Sequence, residues 1–135
     1  MSYILVGHGA YATEIVRSCA MITGEQAMFH PVVFSDEMSA ADLMERFAHI
    51  FSEQDVSAII VDILGGTPSN AAQMFAASHA GVEVVTGLSL PLVLPLVFGE
   101  TLDAALAAAK EGLQRVSIPE EKGRMSKNEE GEEED

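Results

Sequence analysis

Four short apolar runs, at residues 3–6, 28–34, 56–62 and 82–86, alternate with longer stretches whose apolar positions recur at helical spacing. That rhythm restricts the fold more than any other feature. Strand, helix, strand in succession implies parallel pairing through crossovers, so the chain is expected to form an α/β domain with helices on both faces of a parallel sheet. The first run, residues 3–6, reads as a strand buried on both faces, and the third has Ile59, Ile60 and Val61 at its centre. With 135 residues there is enough chain for one domain with a real core, and too little for two of common size.

Local signals divide the chain further. Gly7-His8-Gly9 breaks the first run, and a helix over residues 10–22 follows, closed by Gly24. Ser39 caps a second helix, with Asp42 at the fourth position of a capping box, running to about Phe51. After the third run Gly65-Gly66-Thr67 forms a tight loop. Thr67 suits an N-cap and Pro68 a first helical position, predicting a helix over residues 68–78. Pro91 opens a helix that Pro95 shortens or kinks. Residues 101–116 are alanine-rich and helical, with Leu102, Leu106 and Leu113 as the buried face. The domain is expected to span residues 1–118 and to be followed by an acidic, disordered tail over residues 119–135.

Charge excludes some partners. Seven basic residues against 21 acidic give a net charge of −14, which disfavours nucleic acid, because phosphate backbones need clustered Lys and Arg. A basic protein surface is the better match. A single cysteine, Cys19, excludes an internal disulfide, and no signal-peptide pattern opens the chain. The most apolar stretch, residues 82–98, is interrupted by Glu83, Gly87, Pro91 and Pro95 and cannot span a bilayer as one helix. The expectation is a cytoplasmic protein.

In an open parallel sheet, ligands bind at the edge where strands end and helices begin. The first strand ends at His8, between Gly7 and Gly9, and the third at Asp62, ahead of Gly65, Gly66 and Thr67. If the strand order is 2-1-3-4, the two ends are neighbours at a topological switch point. A carboxylate on one imidazole nitrogen fixes the tautomer, leaves the other nitrogen nucleophilic and stabilises a ring that becomes phosphorylated. Gly9, Gly66 and Thr67, beside helix starts, supply phosphate-binding positions. No glycine-rich loop ends in Lys-Ser or Lys-Thr, so a nucleotide is not the expected donor. Read alone, the histidine can equally be structural, Asp62 a loop cap, and Gly-Gly-Thr-Pro a turn into a helix. His30, His49 and His79 read as structural and Cys19 as core. No His or Cys pair has metal-ligand spacing, so neither a metal nor a cofactor is expected.

Two long motifs carry a resemblance. They are Ile4-Leu5-Val6-Gly7-His8-Gly9 and Val61-Asp62-Ile63-Leu64-Gly65-Gly66-Thr67-Pro68-Ser69-Asn70-Ala71-Ala72, supported by Ala20-Met21-Ile22-Thr23-Gly24-Glu25 and Thr86-Gly87-Leu88-Ser89-Leu90-Pro91. From residue 3 to about residue 116 the chain resembles the EIIA domain of the mannose/fructose/sorbose class of the phosphoenolpyruvate-dependent sugar phosphotransferase system (PTS). The resemblance implies that His8 is phosphorylated by phospho-HPr and discharged to a histidine of EIIB, with the membrane EIIC and EIID components downstream. It places Asp62 on the family's carboxylate that contacts the histidine, and Thr67 on a hydroxyl position of the phosphate pocket. It also implies a homodimer and an extra C-terminal edge strand able to cross to the partner, for which residues 116–118 are the candidate. Two relatives in sequence pattern imply other functions: the phosphotransfer subunit of dihydroxyacetone kinase, and the small tetrapyrrole metal chelatases, whose strand-terminal His-Gly binds metal. A non-catalytic regulatory binder is a third alternative.

Overall fold

A computed structural model describes residues 1–120. Four strands and five helices follow one another as β1 (Ser2–His8), α1 (Tyr11–Thr23), β2 (Phe29–Phe34), α2 (Ala40–Glu53), β3 (Val56–Val61), α3 (Gly66–Ala77), β4 (Glu83–Thr86), α4 (Leu90–Val97) and α5 (Leu102–Glu111). All strand pairs are parallel, and the sheet order is β2-β1-β3-β4, as the winding pattern predicted.

Side chains that alternate along each strand feed two cores, one per face. Tyr3 and Leu5 of β1, with Ala58 and Ile60 of β3, pack against Ala12 and Cys19 of α1, Leu92, Val93 and Leu96 of α4, and Ala105 of α5. Ile4 and Val6, with Val32, Ile59 and Val61, meet Leu43 and Phe47 of α2 and Ala71, Ala72 and Phe75 of α3. Burying each large aliphatic side chain contributes about 1.5–3 kcal/mol, so the central strands β1 and β3 anchor the fold. Register follows: Ile4 lies opposite His30 and Ile59, and Val6 opposite Val32 and Val61.

β1 extends past the apolar run of residues 3–6 and ends at His8, where the sequence placed the strand end. His8 pairs with Phe34, and the chain turns away at Gly9, whose φ is +60°. Several other boundaries depart from the sequence reading. Helix α3 starts at Gly66 with Gly65 as N-cap, so Thr67 is not the cap and Pro68 is not the first helical residue. The reason lies in the backbone: Gly65 and Gly66 hold φ of +90° and +87°, which turns the chain into the helix two residues early. Pro68 is still tolerated, because a first-turn N–H has no helical partner to lose. The helix expected over residues 101–116 stops at Glu111, with Gly112 after it, and Leu113 is 89% exposed instead of lying on the buried face. Residues 116–118 form no strand, and Val116 and Ile118 are exposed. Most of the expected tail, residues 121–135, lies outside the described residues. Among the described residues no helix is long and apolar enough to cross a membrane.

Candidate functional site

Parallel pairing of β1 with β3 puts their ends side by side, and the two polar residues there make direct contact. The Nδ1 of His8 lies 2.8 Å from Oδ2 of Asp62, and the same oxygen accepts the His8 backbone N–H at 3.0 Å. The other oxygen, Oδ1, accepts the Ile63 N–H at 2.9 Å. The Asp62 backbone is tied back to the strand through its N–H to the Val6 carbonyl at 3.1 Å. Three donors thus converge on one carboxylate. Burial alone would raise the Asp62 pKa; the ring and backbone hydrogen bonds from His8, the bond from Ile63 and attraction to the ring outweigh it and hold the group below its ordinary value.

An ionised carboxylate only accepts, so Nδ1 must carry the proton and the neutral ring keeps its lone pair on Nε2. The environment is uneven. The Asp62 side chain is 12% accessible and that of His8 51%. Phe34 stands edge-on to the imidazole, with centroids 5.7 Å apart and planes at 87°, and the Gly9 N–H bonds the Phe34 carbonyl at 2.7 Å. The free side of the ring faces the start of α3: a Cβ built on Gly66 would lie 3.6 Å from His8 Cε1 and 3.7 Å from Nε2. The geometry therefore offers a held, oriented nitrogen nucleophile open to solvent, beside a helix start made of glycine.

His8, Asp62 and Gly66 come together as the sequence suggested. Gly9 serves the turn out of β1, and Thr67 follows Gly66 in the first turn of α3 without making a capping bond. Of the other histidines, His79 stacks on Phe75 at 3.8 Å with its Nδ1 2.8 Å from the Phe75 carbonyl. His49 lies 3.9 Å from Glu53 on the surface of α2. The Nε2 of His30 is buried without a hydrogen-bond partner among the described residues, and burial lowers its pKa. Phe34, edge-on to the His8 ring, was not among the residues expected at the site. It could have been found from the strand order, which sets the end of β2 beside His8. Among the described residues no three His, Cys, Asp or Glu side chains are grouped to hold a metal ion.

Fold and site together define a small open α/β protein that presents a carboxylate-held histidine at a switch point. A family model described as the PTS system fructose IIA component, EIIA-man, matches residues 2–114. The chain is 31% identical over 96 residues to a sorbose-specific EIIA component of Lacticaseibacillus casei, covering 70% of each protein. It is also 31% identical over 100 residues to a fructose-specific EIIA component of Bacillus subtilis, covering 72% of this chain and 68% of that one. A mannose/sorbose-specific IIA subunit from Enterococcus faecalis superposes with a TM-score of 0.81 at 25% identity, over 90% of this chain and 98% of that one. The chain belongs to the mannose-type EIIA family of the sugar phosphotransferase system. The chelatase alternative gives way to that assignment.

Proposed function

We propose that the protein is a cytoplasmic phosphocarrier that accepts a phosphoryl group from phospho-HPr on Nε2 of His8 and passes it to a histidine of EIIB, feeding membrane EIIC and EIID components during sugar uptake. The observation that carries this reading is the 2.8 Å contact between His8 Nδ1 and Asp62, which leaves Nε2 unprotonated and facing Gly66. In the transfer, the Nε2 lone pair attacks phosphorus as the P–N bond of the donor breaks, and the electron pair returns to the donor ring. The phosphorylated His8 ring keeps its Nδ1 proton against the Asp62 carboxylate, which offsets the developing positive charge. Gly9, Gly66 and Thr67 line the space for the phosphoryl oxygens, and free N–H groups at the start of α3 favour an anion there. Residues 1–118 form the transferring domain and residues 119–135 an appended tail.

Incubation with phosphoenolpyruvate, enzyme I and HPr should deposit one acid-labile phosphate, absent in His8→Ala. With its ring half in solvent, His8 can be lost without opening a core cavity, so that variant should melt within a few degrees of the parent. Label retained by His8→Ala would overturn the assignment. Discharge to EIIB is the second step: a phosphorylated protein that passes its group to dihydroxyacetone kinase and to no EIIB belongs to the kinase instead.

The working unit is a homodimer. Leu113, Val116 and Ile118 are exposed on a segment beyond α5, and among the described residues β4 pairs only on its β3 side, so one described copy has both a free sheet edge and apolar side chains to cover. Sedimentation at micromolar concentration should give twice the chain mass; a monomer would refute it.

A further inference from the structure

Tyr11 occupies the first position of α1, three residues past His8. Its ring edge and the Asp62 carboxyl group share the space above Gly7. A Cβ placed on Gly7 would stand 3.1 Å from Tyr11 Cδ2 and 3.2 Å from both Cβ and Cγ of Asp62. Glycine at this position is what lets both approach. The Tyr11 hydroxyl donates to the Leu88 carbonyl at 2.7 Å, and the Leu88 N–H donates to the Val61 carbonyl at 3.0 Å. Val61 directly precedes Asp62. A closed circuit therefore runs from His8 along the chain to Tyr11, across to Leu88, back to the end of β3, and through the carboxylate to His8 again.

We propose that Tyr11 is a positioning residue for the His8–Asp62 pair: its ring covers the carboxylate on the α1 side, and its hydroxyl, by holding Leu88, fixes the exit of β3 from which Asp62 projects. The uneven exposure of the pair calls for such a cover. Asp62 is 12% accessible while the ring bonded to it is 51% accessible, so something must exclude water from the carboxylate alone. A charge-assisted bond weakens when water competes for its acceptor, and a carboxylate opened to solvent would hold the Nδ1–H tautomer less firmly. The effect on phosphotransfer rests on the phosphocarrier reading; the effect on the tautomer does not.

The test uses the full chain with 15N-labelled histidine. At about pH 9, above the ordinary histidine range, the ring nitrogen shifts of unphosphorylated His8 report how the proton divides between Nδ1 and Nε2. Tyr11→Ala should move population from Nδ1–H towards Nε2–H and slow acceptance from phospho-HPr by about tenfold. Tyr11→Phe keeps the ring and loses the Leu88 bond, so it should keep the tautomer and slow acceptance by about threefold. Should Tyr11→Ala fail to fold, Tyr11→Leu, similar in bulk but without the planar edge over Gly7, carries the same tautomer expectation. An unchanged Nδ1–H population in the alanine or leucine variant overturns the inference even if the parent is phosphorylated normally. A parent that takes no phosphate defeats the phosphocarrier reading and leaves the tautomer result to decide the role of Tyr11.

Discussion

Helix α2 closes its own N-terminus with polar side chains, whereas α3, which begins at the same edge of the sheet, starts with two glycines and no side-chain cap. In α2 the Ser39 Oγ accepts the Asp42 N–H at 3.3 Å and Asp42 Oδ2 accepts the Ser39 N–H at 2.8 Å, a complete capping box. Asp42 also puts a negative charge in the first turn, while α3 has none there. Both helix starts have orphan N–H groups and a positive dipole end. One spends them on its own stability and repels an incoming anion. The other has no side-chain cap beside Nε2 of His8, which in the proposed transfer favours an incoming phosphoryl group. On the proposed function, local stability and site chemistry are assigned to different helices at one edge.

The contrast breaks most severely at Gly66. With φ at +87°, an alanine there adopts a conformation that costs L residues roughly 1–2 kcal/mol. Its methyl would also stand 3.7 Å from Nε2, the atom that accepts the phosphoryl group in the proposed transfer. Gly66→Ala is expected to slow phosphotransfer by about a hundredfold, the scale on which small misplacements act, and to lower the urea midpoint. A normal rate with a lowered midpoint would separate the glycine start from the chemistry and end the comparison.

Asp62→Asn comes next. The amide removes the charge and can offer N–H to the ring, selecting the wrong tautomer, so transfer should slow by about tenfold, or 1.4 kcal/mol of transition-state stabilisation. The same residue predicts a pH signature. Its pKa is lower folded than unfolded, so it contributes stability above the ordinary carboxylate range, and that contribution is lost as pH falls below about 4 through the folded value. Asp62→Asn lacks this dependence. The gap in urea midpoint between parent and variant should therefore shrink as the medium is acidified from neutrality to about pH 2. A gap that widens on acidification would contradict the depressed pKa.

How far the sequence discloses these features depends on whether side chain or backbone does the work. The four strands are legible because Ile4, Leu5 and Val6, or Ile59, Ile60 and Val61, cannot be solvated, and the capping box of α2 because Ser39 and Asp42 act through their side chains. The His8–Asp62 pair is legible once strand order is inferred, since both residues are polar interruptions of apolar runs. The start of α3 is misread because Thr67-Pro68 carries a strong helix-start pattern, and nothing in the letters shows that Gly65 and Gly66 already hold positive φ. The end of α5 is misread because Leu113 continues the apolar spacing, although Gly112 ends the helix. Leu88 is invisible in the sequence for a related reason: it serves the site through its carbonyl and N–H, which every residue but proline possesses.

The smallest effect belongs to α2, and it tests whether the two helix starts are independent. Ser39→Ala removes the hydroxyl that accepts the Asp42 N–H, and loss of such a cap typically costs about 1 kcal/mol. Asp42 keeps its own bond to the residue 39 N–H, so half of the box survives and the cost should fall at or below that figure. Helix α2 packs on the sheet: Leu43 and Phe47 enter the core on the face shared with Ile4 and Val6, and Phe34, edge-on to the His8 ring, packs against that cluster. Distant, unshared contacts add independently. Ser39→Ala should therefore lower the urea midpoint slightly and leave the rate of acceptance from phospho-HPr unchanged. Combined with Gly66→Ala, its stability cost should add and its rate effect should remain nil. A rate loss in Ser39→Ala comparable to its stability loss would mean that the capped helix also tunes the nucleophile, and that the two starts work as one unit.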